Sequence, residues 1–128
     1  FTGSAGASGA NFAGGTLTSL LTIKGLAETV YSGGNLAAGT YLPDATTATV
    51  HKYTLTGNVT ISALTNPVTG TNVTLILTQD GTGSRTLTST MKYANGFKTL
   101  STSTSAIDVI TVFYDGTQYL ASLTRGFA

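Results

Sequence analysis

Asn72-Val-Thr-Leu-Ile-Leu-Thr-Gln-Asp-Gly-Thr-Gly-Ser-Arg-Thr-Leu87 is the stretch whose reading decides the fold class. Val73, Leu75 and Leu77 alternate with Thr74, Ile76 and Thr78. Alternation with period two, rich in β-branched residues, is the pattern of a strand with one strongly apolar face. Asp80-Gly81 follows, and a tight primed turn needs the positive φ that Gly supplies without strain. Gly83 lengthens the loop, and Arg85 and Leu87 begin a return strand. The pattern predicts a β-hairpin on which the rest of the chain packs.

Both flanks carry the same signals. Upstream, Leu26–Tyr31 reads as a strand, Ser32-Gly33-Gly34-Asn35 as a turn, and Leu36–Leu42 as a short strand closed by Pro43-Asp44. Thr49–Thr56 is a strand with His51, Tyr53 and Leu55 on one face, and Val59–Leu64 follows the turn at Gly57-Asn58. Downstream, Met91 and Tyr93 are expected to pack inward, and the Ser/Thr run 99–105 to form a loop. Ala106–Tyr114 is the most apolar strand. Ile107, Val109 and Phe113 lie on one face and Ile110 and Val112 on the other, which predicts a central strand covered on both sides. Asp115-Gly116 predicts a second hairpin, with Gln118–Leu123 returning. About eight short strands with turn signals every 8–12 residues and little helix predict an all-β fold, an antiparallel β-sandwich of jelly-roll type.

At the other end, Phe1–Gly15 is of low complexity, with Gly3, Gly6 and Gly9 opening three Gly-X-Y triplets. From this stretch alone a flexible Gly/Ser/Ala linker is the preferred reading over the end of a collagen-like stalk, because three triplets without proline are few. Leu17, Leu20, Leu21 and Ile23 follow in an extended segment or single turn. The expected division is an N-terminal arm over residues 1–23 and one β domain over 24–128. The first residue is Phe, so the sequence is expected to be a fragment of a longer chain or a processed form.

Composition narrows the function classes. Length 128 suits a single core. Charged residues make up 9% of the chain and the formal net charge is +1, too little for electrostatic capture of nucleic acid or an anionic membrane. At 41% hydrophobic the chain is not of the disordered class. There is no cysteine for a disulfide framework or thiolate metal site. No run of about 18 apolar residues offers a membrane-spanning helix.

A search for reaction chemistry names no catalytic, cofactor-binding or metal-ligating residue, and no cofactor. His51 is the sole histidine, and a lone strand histidine is read as a packed or surface residue. Asp80 and Asp115 each precede Gly, so turn formation accounts for them. Asp80-Gly-Thr-Gly-Ser is not an EF-hand, since the closing acid position is Met91. Asp108, on an apolar strand, is expected to find Arg85 or a lysine as partner. Gly81-x-Gly83 has no third glycine and opens no helix, so it is no phosphate loop. Lys24, Lys52, Arg85, Lys92, Lys98 and Arg125 are scattered. The six tyrosines, Tyr31, Tyr41, Tyr53, Tyr93, Tyr114 and Tyr119, could serve a glycan-binding surface, but core and interface packing is the default reading for most of them.

Two features carry a family resemblance. Phe1-Thr-Gly-Ser-Ala-Gly-Ala-Ser-Gly9 resembles the end of the Gly-Phe/Tyr-Thr-Gly-Ser-x-Gly repeats in virion proteins of tailed phages that infect marine bacteria. The ordered series Lys24-Gly-Leu-Ala-Glu-Thr-Val30, Leu55-Thr-Gly-Asn-Val-Thr-Ile61, Leu75–Leu87, Ile107-Asp-Val-Ile110 and Tyr114-Asp-Gly-Thr-Gln-Tyr119 is similar to C-terminal β domains of phage fibre and virion structural proteins. Where relatives often carry Trp, around Met91–Tyr93 and Gln118-Tyr119, this chain has Tyr. The resemblance implies a non-enzymatic part of a virion, either a trimeric fibre domain or a fibre-like decoration of head or tail. Its partners would be two further copies of itself, other virion proteins and a glycan of the host surface. It also tips the glycine triplets toward the collagen-like reading. The alternative from a different class is a secreted bacterial carbohydrate-binding β-sandwich module.

Overall fold

The computed structural model describes residues 14–128, so the glycine triplets at 3–11 lie outside the described residues. The chain is all-β, with one 3-10 turn at Ala94–Gly96 as the helical element among those residues. It winds through three successive coils. Each coil gives a long strand to one sheet and a two-residue strand to a second. The pairs are β1 (Val30–Leu36) with β2 (Gly39–Thr40), β3 (Val50–Leu55) with β4 (Val59–Thr60), and β5 (Asn72–Gln79) with β6 (Leu87–Thr88). Equivalent strands stack in parallel. Val30 faces Val50, which faces Thr74; Gly39 faces Val59, which faces Leu87. The first coil is thus twenty residues long on both sides. A parallel bridge between Asp44 and Thr65 marks the third side.

β7 (Lys92–Tyr93), β8 (Ile107–Tyr114) and β9 (Tyr119–Phe127) close the stack. β8 runs antiparallel to β5, β9 antiparallel to β8, and β7 parallel to β9. The larger sheet has the order β1-β3-β5-β8-β9-β7, and β2-β4-β6 form the smaller one.

This is solenoid-like stacking, and it corrects the jelly-roll sandwich expected from the sequence. Alternation within a strand is the same in both folds; what differs is the partner. The hairpin at Asp80-Gly81 shows the reason. Both edges of β5 are taken, one by β3 and one by β8. The backbone of Arg85, which would have returned along β5, is held by a side chain. Gln79 is 2% exposed; its Oε1 accepts from the Arg85 N–H at 2.8 Å, and its Nε2 donates to the Arg85 carbonyl at 2.9 Å. The chain therefore turns a corner and enters the other sheet. The second expected hairpin does form, with Tyr114 opposite Tyr119 across the Asp115-Gly116 turn. Ser32-Gly33-Gly34-Asn35, expected as a turn, is a bulge inside β1, with the register to β3 shifting between Ser32 and Asn35.

The core lies between the sheets. Val73, Leu75, Leu77, Ile110 and Val112 of the large sheet meet Val59 and Ile61 of the coil's other side, each at most 2% exposed. Met91 and Tyr93 are buried as expected, and Leu100 joins them from the Ser/Thr loop. Stacking leaves little room at the corners: a Cβ on Gly57 would come within 2.3 Å of the Ala38 backbone nitrogen. Asp108 lies inside, 1% exposed. Its partners are neither Arg85 nor a lysine. The carboxylate accepts from the Ser101 N–H (2.7 Å), the Ser101 hydroxyl (2.7 Å) and the Gly126 N–H (2.9 Å). Local donors at hydrogen-bond distance meet the need of a buried carboxylate without a buried cation.

Two surfaces stay open. Residues 14–29 are extended and exposed throughout, anchored near their end where the Thr49 hydroxyl donates to Glu28 at 2.8 Å. The outward face of the large sheet is also uncovered, so β8 is central but packed on one side, not on two. Val109 there is half-buried and Phe113 exposed.

Candidate functional site

Parallel stacking decides which side chains meet at the open end of the core. Opposite residues in parallel strands point the same way, so Tyr31, His51 and Leu75 form one column, and Tyr53 lies beside Leu77 in the next. Along the first column exposure falls from 42% at Tyr31 to 1% at His51 and 1% at Leu75. The first coil has no coil stacked on its outer side among the described residues. The apolar interior therefore ends in a cleft of about 440 Å³.

Aromatic rings form its floor. Tyr31 meets His51 edge-on at a centroid distance of 5.4 Å, and His51 stacks on Tyr53 at 6.0 Å. The Tyr53 ring lies directly over the Gly33 backbone, in the space a Cβ would fill. That close approach is what the glycines of the β1 bulge permit. Burial, and secondarily the neighbouring Tyr31, pushes the Tyr53 phenol up to about 12. Both nitrogens of His51 are committed: Nε2 lies 2.9 Å from the Ala48 carbonyl and Nδ1 3.0 Å from the Tyr53 hydroxyl. A carbonyl can only accept, so Nε2 carries a hydrogen, and in the neutral ring Nδ1 accepts from Tyr53. The histidine is a strut that aims Tyr53 and offers no lone pair to a substrate.

Polar groups form the rim. Tyr41 closes one side, its hydroxyl donating to the Ala37 carbonyl at 2.8 Å. Asp44 accepts from the Thr46 hydroxyl at 2.6 Å and the Thr46 N–H at 2.8 Å. Those two bonds, the hydroxyl first, hold its carboxyl below the ordinary range. Asn35 and Thr47 also line the cleft, and both are exposed. Among the described residues their side chains, like the Tyr31 hydroxyl, make no side-chain hydrogen bond.

The other residues singled out in the sequence lie elsewhere. Asp80 pairs with Arg85 at 2.7 Å and also accepts from the N–H groups of Thr82 and Gly83, a turn device at the coil corner. Asp115 accepts from the N–H groups of Thr117 and Gln118 in the hairpin. Tyr114 and Tyr119 pack together at 4.9 Å at the opposite end of the large sheet, and Tyr93 is in the core. The fold thus splits the six tyrosines into separate groups and gathers three in one cleft. Sequence reading left Asp44, Asn35 and Thr47 out of any site. The twenty-residue length of the coil that brings them to Tyr53 shows in the sequence as the spacing of Val30 to Val50 and of Thr40 to Thr60.

Residues 41–119 match the family model described as putative phage tail fibre C-terminal domain. No curated protein and no solved structure matches the chain.

Proposed function

From the premise that the chain belongs to the phage tail fibre C-terminal domain family, we propose that it is a non-enzymatic fibre domain that works as a homotrimer on the virion surface and takes part in attachment to the host. The observation that carries the trimer is the arm. Leu20 is 93% exposed and Leu26 76%, with Leu21 and Ile23 at least half exposed, so four large apolar side chains within residues 20–26 lie open to water. A run of large apolar side chains left in water favours burial against a partner, at about 25 cal/mol per Å². Two further copies of the chain, joined about the axis of a fibre, are the partner that a fibre offers. The outward face of the large sheet, where Val109 is half-buried and Phe113 exposed, is a second apolar surface that a neighbour can cover.

In this reading residues 1–23 form the segment that leads out of the fibre, the glycine triplets being the end of a collagen-like stalk, and residues 24–128 form the domain. A sandwich-type carbohydrate module, the alternative drawn from the sequence, loses its architectural basis because the strands stack in coils. Light scattering on the 128-residue chain tests the proposal. A mass of three 13.0 kDa chains is expected; a monomer at micromolar concentration overturns it. A version starting at Gly25 locates the contact: a trimer there places it in the β domain, and a monomer places it in the arm.

A further inference from the structure

We propose that the cleft at the first coil is a saccharide-binding site, built for one neutral pyranose unit of a surface glycan, with the exposed Tyr31 as its platform, Tyr53 as the fixed ring behind it, and Asp44, Asn35 and Thr47 as its hydrogen-bonding rim. The inference rests on the attachment reading above and gives it a place on the molecule.

Size comes first. A volume of about 440 Å³ lies in the lower part of the range of small-molecule sites, roughly 300–1,000 Å³. The chemistry follows from what the lining offers. An aromatic face carries negative charge density and its edge positive. The axial C–H groups of a pyranose, weakly positive, therefore settle on a tyrosine face while the equatorial hydroxyls point to the sides. The sides here hold a carboxylate that accepts, an amide that does both, and hydroxyls of Thr47 and Tyr31 that do both. Such a mixed set, spread around a ring-shaped floor, fits a ligand with several hydroxyls pointing outward.

The same residues argue against other ligands. No lysine or arginine lines the cleft, so an anionic phosphate or sialic-acid carboxylate has no counter-charge, and Asp44 would repel it. An organic cation would need ring faces turned to a common centre. Instead Tyr31 packs edge-on against both His51 and Tyr53, with centroids 5.4 and 6.4 Å apart, so no space is left between these rings for a cation. The floor is also preorganised. The Tyr53 hydroxyl is fixed on His51 and its ring on the Gly33 backbone, so little freedom is lost on binding.

The test is an amide NMR titration of the 128-residue chain with glucose, galactose and N-acetylglucosamine, with choline as the cation probe. At least one sugar is expected to shift residues 31–35, 41–47 and 51–53 saturably, with millimolar affinity. Tyr31→Ala and Asp44→Asn are each expected to weaken that affinity about tenfold or more, and Tyr114→Phe, at the far end of the sheet, to leave it unchanged. Asn35→Ala and Thr47→Ala, both at exposed rim positions, provide the same readout if the tyrosine variant misfolds. No shift with any of the sugars, shifts with choline alone, or sugar shifts that persist in the cleft variants would overturn the proposal. Light scattering on the same samples separates it from the assembly proposal. A trimer with no sugar response removes the cleft alone, and a monomer that responds removes the trimer alone.

Discussion

The two faces of the large sheet are built from similar residues and meet opposite fates. Inward, Leu75, Leu77, Ile110 and Val112 are at most 1% exposed. Outward, on the same strands, Ile76 and Val109 are half-buried and Phe113 is 37% exposed. One strand, β8, thus carries apolar side chains on both sides but covers them on one. Hydropathy places a residue against something apolar; it does not say whether that something belongs to the same chain. Purely parallel sheets covered on both faces read as continuous apolar runs, and β8 has that pattern in a sheet that a single protomer covers once.

The inner face gives the largest expected effects. Leu77→Ala should cost about 2–5 kcal/mol of unfolding free energy, because the surrounding rungs cannot close on the space. Thr111→Ala, on the outer face of the adjoining strand, should cost no more than about 0.5 kcal/mol. Urea unfolding of both variants checks the contrast, and equal losses would break it. Next in size is Asp108→Ala. It takes the acceptor from the Ser101 and Gly126 N–H groups, which water can partly reach, for a total of about 1–3 kcal/mol. Asp108→Asn should recover part of the loss, since an amide oxygen still accepts.

These contrasts also explain what was legible beforehand. Strands β3, β5, β8 and β9 are long enough for alternation to appear, and their inward sets were readable from spacing alone. The hairpin at Asp115-Gly116 was readable because both of its strands are neighbours in sequence. Parallel pairing was not, since nothing local distinguishes a strand whose partner lies twenty residues away from one whose partner is the next strand. Two-residue strands such as β2, β4 and β6 carry no period at all, and only their stacked threonines hint at the register. Asp108 was recognised as needing a partner. That the partner would be the backbone of Ser101 and Gly126 depends on loop geometry that spacing cannot supply. The tyrosine cleft was hidden for the same reason: Tyr31 and Tyr53 meet only after the coil length is known.

The outer face sharpens the comparison at a smaller scale of stability. Val109→Ser and Phe113→Ser should leave the unfolding free energy of a dissociated protomer within about 0.5 kcal/mol of the parent. In the proposed trimer the same changes should lower the melting temperature. They should also strengthen its dependence on protein concentration, because association energy that the face contributes is lost. Melting curves at two concentrations, with light scattering at each, decide the matter. If the outer variants behave as the parent at every concentration, that face stays in water and the arm alone joins the copies.

The smallest effect lies at the corner where the two faces part, between neighbours that point opposite ways. Gln79 turns inward and holds the Arg85 backbone; Asp80 turns outward and holds the Arg85 guanidinium at 2.7 Å. The Arg85 hydrogen bond first, and then the N–H groups of Gly83 and Thr82, lower the Asp80 carboxyl from 3.8 to about 2. A carboxyl whose folded pKa is depressed adds stability that is complete above its ordinary value. That stability is lost as pH falls from 3.8 through about 2. Asp44 and Asp115 are also lowered, Asp44 chiefly by the Thr46 hydroxyl and Asp115 chiefly by the Gln118 N–H, so they too lose stability as pH falls below the ordinary carboxylate value. Asp80→Asn should therefore flatten the acid limb of the stability curve without abolishing it, and leave its shape above pH 5 unchanged. An acid limb as steep as the parent's would mean that the outward clamp is decorative, and that Gln79 on the buried side holds the corner alone.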